Sequence, residues 1–383
     1  MTADKAAARS HAPRPPAAAG MHLRDVDTPA LLLDLDAFER NLQRMSRFAR
    51  ANGVALRPHA KSHKSDIIAL RQVALGAVGV CCQKVSEAEA LIAGGVQDVL
   101  VSNQIVGAQK IERLLELTRL AHVAVCVDDA ENVGALSAAS RQHGATLDVL
   151  VEIEVGGNRC GVAPGAAALR LARAIDDAPG LRFAGLQAYN GAAQHVHDAR
   201  GRAEASAQVI ELTRQARDLL RMNGLACGVI TGAGTGSYPH EASSGVFNEL
   251  QPGSYVFMDA AYARNRADGD GPISDFEQSL FVLTTVMSRA NHALAIVDAG
   301  LKAVGVDAGM PRVELPGAEY AKASDEHGVL RLAPGAEGPC CGSKLRLVAG
   351  NCDPTVNLHD WYVVFRGERV EALWPVAARG PGF

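Results

Sequence analysis

From Ala30 onward the chain repeats one unit: a short, nearly continuous apolar run, a polar loop, then a stretch of helical period rich in Ala, Leu, Glu and Arg. Strands apolar on both faces must be covered on both faces. Alternation with helices therefore dictates a parallel sheet wrapped by helices. The runs begin at Ala30, Ala55, Gly76, Asp98, His122, Leu147, Leu181, Gly228 and Gly253. Segments such as 86–93 and 203–221 between them read as helices. Setting the first run aside leaves eight, the number a closed (β/α)8 TIM barrel needs. A doubly wound open sheet is the alternative, but no G-x-G-x-x-G follows the early strands.

After Arg266 the texture changes. Runs such as SLFVLTTVMSRA, KLRLVAG and DWYVVFRGERV alternate at period two between Gly-containing turns, which predicts a mostly antiparallel β domain. The expected organisation is a disordered tail over 1–21, a barrel over 22–265 and a C-terminal β domain over 266–383. The first strand near 30–35 is left open between the two folded units. Pro13, Pro15 and Pro16 argue against a helical presequence, and no apolar signal core precedes them.

Composition narrows function. A net charge of −4 offers no basic stripe for nucleic acid, and every long apolar stretch is interrupted before it could span a membrane. The eight cysteines sit largely in apolar or Gly-rich runs of a long chain, the pattern of reduced thiols in a cytoplasmic enzyme.

In such a barrel, chemistry gathers where strands end. The first barrel strand ends in Arg57-Pro58-His59-Ala60-Lys61-Ser62-His63-Lys64. A lysine there, buried enough to shed its proton, is a nucleophile for imine formation with an aldehyde. A solvated basic loop is the competing reading. Lys64 is expected at the surface, because Lys61 directly follows the apolar strand. Arg159 stands between glycines after the run from Leu147, where it can donate to a flat heteroaromatic ring but never surrender a proton. The segment Thr231–Tyr238 has the small residues and hydroxyls of a phosphate cradle without a Walker lysine. Gly253-Ser254-Tyr255 adds another possible phosphate contact. Lysine, arginine and cradle together describe pyridoxal 5'-phosphate.

The runs RPHAKSHK, VGVCCQKVSEAEAL, GGNRCGV, GLQAYNGAAQH, GAGTGSY, NELQPGSYVFMD and CDPTVNLHDW occur in order over nearly everything after Met21. In them the chain resembles the D-threonine aldolase and D-serine dehydratase family, most of all its 3-hydroxy-D-aspartate aldolases. The resemblance implies an alanine-racemase-like barrel with a β domain, a homodimer, a small amino-acid substrate and pyridoxal phosphate. It implies that Lys61 carries the cofactor, Gln83 lies by the ring hydroxyl, Arg159 meets the pyridine nitrogen and Tyr189 lines the ring. Thr235, Gly236 and Tyr255 would hold the phosphate, and His195 would act on the substrate β-hydroxyl. Retro-aldol cleavage of a D-β-hydroxy-α-amino acid to glycine and an aldehyde is the expected reaction. Dehydration of such substrates, redirection to transamination or racemisation, and a non-catalytic cofactor carrier are the alternatives.

The family also holds a divalent metal in a His-Cys-Asp-Pro motif. Here the motif reads Asn351-Cys352-Asp353-Pro354. Asp353 is retained as a ligand. Asn351 supplies a neutral amide oxygen, which suits Mg²⁺ or Mn²⁺ and replaces imidazole poorly for Zn²⁺ or Co²⁺.

Overall fold

The computed structural model describes residues 14–383 except Asp268 and Asp270. Eight strands form one parallel sheet: β2 (Ala55–Leu56), β3 (Val80–Cys82), β4 (Asp98–Gln104), β5 (His122–Val127), β6 (Leu147–Glu152), β7 (Leu181–Ala188), β8 (Val229–Gly232) and β9 (Glu249–Leu250). They follow β1 (Ala30–Asp34), which lies elsewhere. Strand β2 pairs with β9, and a bridge between His59 and Cys81 joins the β2 side to β3, closing the barrel.

The continuous apolar strands sort their side chains by parity. Along β4, Val99 and Val101 face the surrounding helices, while Leu100 faces the barrel interior with Cys81, Ala124, Cys126 and Leu150. Two of the eight cysteines are thus small interior core residues, and all eight are free thiols.

One strand expectation is corrected. The eighth barrel strand is Glu249–Leu250; the run from Gly253 is instead a tight turn at Ser254–Val256. Its residues therefore lie beyond the strand, on the rim.

The second sheet has nine strands. It contains β1 and β10 (Leu280–Asn291), β11 (Leu294–Val297), β12 (Arg312–Val313), β13 (Ala318–Ala323), β14 (Gly328–Leu332), β15 (Lys344–Val348), β16 (Trp361–Arg366) and β17 (Arg369–Pro375). Every pairing is antiparallel except β1 with β16. Leu31, Leu32 and Leu33 of β1 are wholly buried between β10 and β16, so this sheet is completed by the earliest strand among the described residues.

The expectation of a disordered tail over 1–21 divides. Residues 1–13 lie outside the described residues. From 14 to 21 the chain is largely exposed but anchored: Ala17 is buried, Gly20 N–H donates to the Val370 carbonyl, and Arg369 donates to the Gly20 carbonyl.

Candidate active site

The strand ends of the barrel surround a cavity of about 320 Å³. Strand β2 delivers Lys61 through a single 3-10 turn, Ala60–Ser62, whose entry is capped by His59 Nδ1 accepting from Lys61 N–H at 3.4 Å. Gln83 enters after β3, Arg159 after β6, Tyr189 and His195 after β7, and Thr235 after β8. Six of the residues proposed for the site thus line one cavity. Gly236 stands beside Thr235 on the wall of a neighbouring cavity of about 370 Å³.

Tyr255 is not among the residues that line this cavity, although its neighbours Gly253 and Ser254 are. Its hydroxyl accepts from Gln72 Nε2 at 3.0 Å, and its backbone N–H donates to Thr235 Oγ1 at 3.0 Å. The tyrosine braces the cradle from behind. Lys64 is also corrected. It is buried, and its ammonium pairs with Glu87 at 3.1 Å and donates to the carbonyls of Ala378 and Gly380.

The cavity tests well as a pyridoxal phosphate site. Among the described residues, the backbone N–H groups of Thr235, Gly253 and Ser254 have no protein acceptor, and all three residues line the cavity. Orphan amides converging on a polar space are an anion cradle. Close packing leaves no room for larger side chains there: a Cβ on Gly253 would stand 2.6 Å from Ser62 Oγ. Backbone strain collects nearby as well. Asn158, Ala233 and Met258 have positive φ without being glycine, and each lies in a loop of the barrel mouth.

Arg159 lies 5.5 Å over the Tyr189 ring and 3.8 Å from the buried Glu152, which also accepts from Gln104 at 2.6 Å. Gln83 Nε2 reaches Ser102 Oγ at 3.2 Å and His59 Nε2 at 2.8 Å. Composition and motif reading did not single out His59, Ser102, Gln187, Gln251 or Tyr262 among the lining residues. His59 was open to inference, because it is two residues from Lys61; the others carry no local signal.

Lys61 is not a lysine that burial alone deprotonates. Burial favours its neutral form, but the carboxylate of Asp353 and the nearby Tyr189 outweigh that and raise its pKa. Burial likewise opposes ionisation of Asp353, and the Lys61 ammonium overcomes it, bringing the carboxyl down to about 2. The two are ion-paired and must separate before Lys61 can act as a nucleophile. His195 is exposed at the cavity rim, 5.2 Å from the Tyr262 ring. Burial lowers its pKa against the pull of Asp259, so at neutral pH it is an uncharged base.

The residues expected to hold a metal do not suit one. Asn351 caps the helix Cys352–Val356: its Oδ1 accepts from Asp353 N–H at 3.2 Å and its Nδ2 donates to Asp307 at 2.9 Å. Asp353 is engaged by Lys61 and by the Cys352 thiol. Among the described residues no three His, Cys, Asp or Glu side chains converge as a ligand set.

A barrel carrying a lysine at the end of its first strand, opposite an anion cradle and completed by a β domain, is the architecture of the alanine racemase class. The family model for the alanine racemase N-terminal domain matches residues 33–261, and a putative serine dehydratase domain matches 279–365. Within that class the chain belongs to the D-threonine aldolase and 3-hydroxy-D-aspartate aldolase family. It is 51% identical to D-threonine aldolase of Arthrobacter sp. and 49% to 3-hydroxy-D-aspartate aldolase of Paracoccus denitrificans, each alignment covering 96% of both chains. The crystal structure of D-threonine aldolase from Filomicrobium marinum superposes with a TM-score of 0.93 at 53% identity, covering 96% of this chain and all of that one. A D-threo-3-hydroxyaspartate dehydratase of Delftia sp. is more distant, at 32% identity over 82% of this chain and 86% of its own.

Proposed function

We propose that this protein is a pyridoxal-phosphate lyase that cleaves D-β-hydroxy-α-amino acids, D-threonine or 3-hydroxy-D-aspartate, into glycine and an aldehyde. The observation that carries this reading is that Lys61, His195 and the three residues with orphan amides, Thr235, Gly253 and Ser254, line one cavity. Bound pyridoxal phosphate supplies an aldehyde that captures an amine and a ring that accepts the electron pair of a bond broken at Cα.

The chain's own residues do the rest. The three amides and the Thr235 hydroxyl would hold the cofactor's phosphate. Arg159, steadied by Glu152 and Tyr189, offers N–H donors to a ring nitrogen and cannot protonate it. That leaves a weaker electron sink, so more of the barrier reduction falls to the base at the other end of the substrate. His195, uncharged at neutral pH, takes the proton of the β-hydroxyl as the Cα–Cβ bond breaks. The net balance is simple: the hydroxyl loses a proton to become the aldehyde, and Cα gains one to become glycine.

No step here passes through a metal at Asn351, whose amide is committed to the cap of the helix Cys352–Val356 and to Asp307. We also read the chain as a cytoplasmic homodimer: its eight cysteines are free, and Met287, Leu301 and Met310 are exposed on the second sheet and its loops. Sizing chromatography tests the dimer. The reaction is tested by incubating the purified holoenzyme with D-threonine and with 3-hydroxy-D-aspartate. Equal amounts of glycine and aldehyde are expected. Ammonia and an oxo acid in their place would make it a dehydratase.

A further inference from the structure

The base proposed above, His195, ends a single 3-10 turn, Ala192–His195, and one such turn alone does not hold an imidazole to the tolerance that proton transfer needs. The residue before it is fully committed to the neighbouring loop. Gln194 is 1% exposed. Its Oε1 accepts from Gly236 N–H at 2.9 Å, and its Nε2 donates to Ser237 Oγ at 2.9 Å and to the Asn190 carbonyl at 3.3 Å. Its own carbonyl accepts from the buried Asn265 Nδ2 at 2.9 Å.

Gly234 and Gly236 make room for this side chain and its backbone. A Cβ on Gly234 would collide with the Gln194 amide, and one on Gly236 would lie 2.6 Å from the Gln194 carbonyl oxygen. Glycines that read as a phosphate motif therefore also serve as the socket for a glutamine. Gln194 does not itself line the cavity.

We propose that Gln194 is a positioning residue that fixes the His195 loop to the phosphate loop, so that the placement of the base is set by the same segment that holds the cofactor. This rests on the reading of His195 as the β-hydroxyl base. The side chain spans two barrel loops, after β7 and after β8, and its two polar ends are both satisfied only when those loops keep this spacing. Removing them frees His195 without touching Lys61, Arg159 or the orphan amides.

The test is a double-mutant cycle on cofactor-saturated protein, with His195→Ala, Gln194→Leu, their combination, and Gln194→Glu. Leucine keeps the bulk and loses both polar ends; glutamate keeps the acceptor for Gly236 N–H. Gln194→Leu is expected to lower kcat for cleavage about 10²-fold, as for a misplaced catalytic group, with KM changed far less. The spectral response to glycine, which needs no β-hydroxyl base, should be unchanged. Gln194→Glu should recover part of the rate. The double variant should be no slower than His195→Ala alone, because both losses pass through one residue.

Full activity in Gln194→Leu would overturn the proposal. So would losses that multiply in the double variant, or an equal loss of the glycine response in both Gln194 variants. Undiminished cleavage by His195→Ala would instead remove the reading of His195 on which the proposal rests.

Discussion

At the scale of single residues, the site is a set of groups held in definite protonation and contact states by partners distant in sequence. Borohydride treatment of the holoenzyme should fix the cofactor on a peptide carrying Lys61; label on Lys64 would reverse the assignment, and Lys64 is buried against Glu87. Lys64→Met should cost roughly 3–5 kcal/mol in chemical denaturation, because it leaves a buried carboxylate unpaired. A cost under ~1 kcal/mol would show that Glu87 is satisfied by the Gln83 and Lys84 N–H groups alone. Asn351 gives a third prediction. Cleavage by the present chain should be little affected by chelators, whereas Asn351→His should bind a transition ion and become chelator-sensitive, as elemental analysis and assay would show. The motif Asn351-Cys352-Asp353 reveals the substitution in the sequence. It cannot reveal that Asp353 pairs with Lys61, 292 residues away, nor that Tyr255 turns its hydroxyl toward Gln72. Those contacts follow from tertiary packing.

At the scale of elements, repetition made most of the barrel legible: period and strand composition are local, and so is the Gly-rich cradle after β8. The last barrel strand was not. Gly253–Asp259 is apolar enough to read as a strand, yet its first residues turn tightly on the rim, and only two residues, Glu249 and Leu250, pair with the neighbouring strands. The sharpest element-scale prediction lies at the opposite end of the barrel. His122, at the start of β5, bridges Asp148 at 2.9 Å and Asp98 at 3.0 Å, and those hydrogen bonds outweigh partial burial to raise its pKa to about 9. A raised folded-state pKa means stability that is complete below the unfolded value of about 6.5 and lost as pH climbs through about 9. Because His122 is nearly half exposed, screening limits the effect to on the order of 1 kcal/mol. Thermal melts of the native chain and His122→Gln should differ at pH 6 and converge by pH 10. A constant difference across that range would mean a contribution from packing alone.

At the scale of the whole molecule, the second sheet does more than flank the barrel. It takes in β1, which precedes the barrel strands, and returns the helix Cys352–Val356 to the barrel mouth, where Asp353 meets Lys61. The two sheets are thus interlocked in sequence, and Tyr362 of β16 donates to the His63 carbonyl at 2.5 Å beside the turn that carries Lys61. Leu32→Ala at the centre of this sheet should cost about 2–5 kcal/mol, measured by denaturation. The central claim is that one cavity divides its labour: Lys61 captures the cofactor and His195 acts at the β-hydroxyl. The most direct test is His195→Ala, followed by its cleavage rate and its spectral response to glycine. Cleavage should fall roughly 10²–10⁴-fold, the usual worth of a positioned base, while the glycine response stays that of the native enzyme. Unchanged cleavage, or loss of both together, would contradict the account.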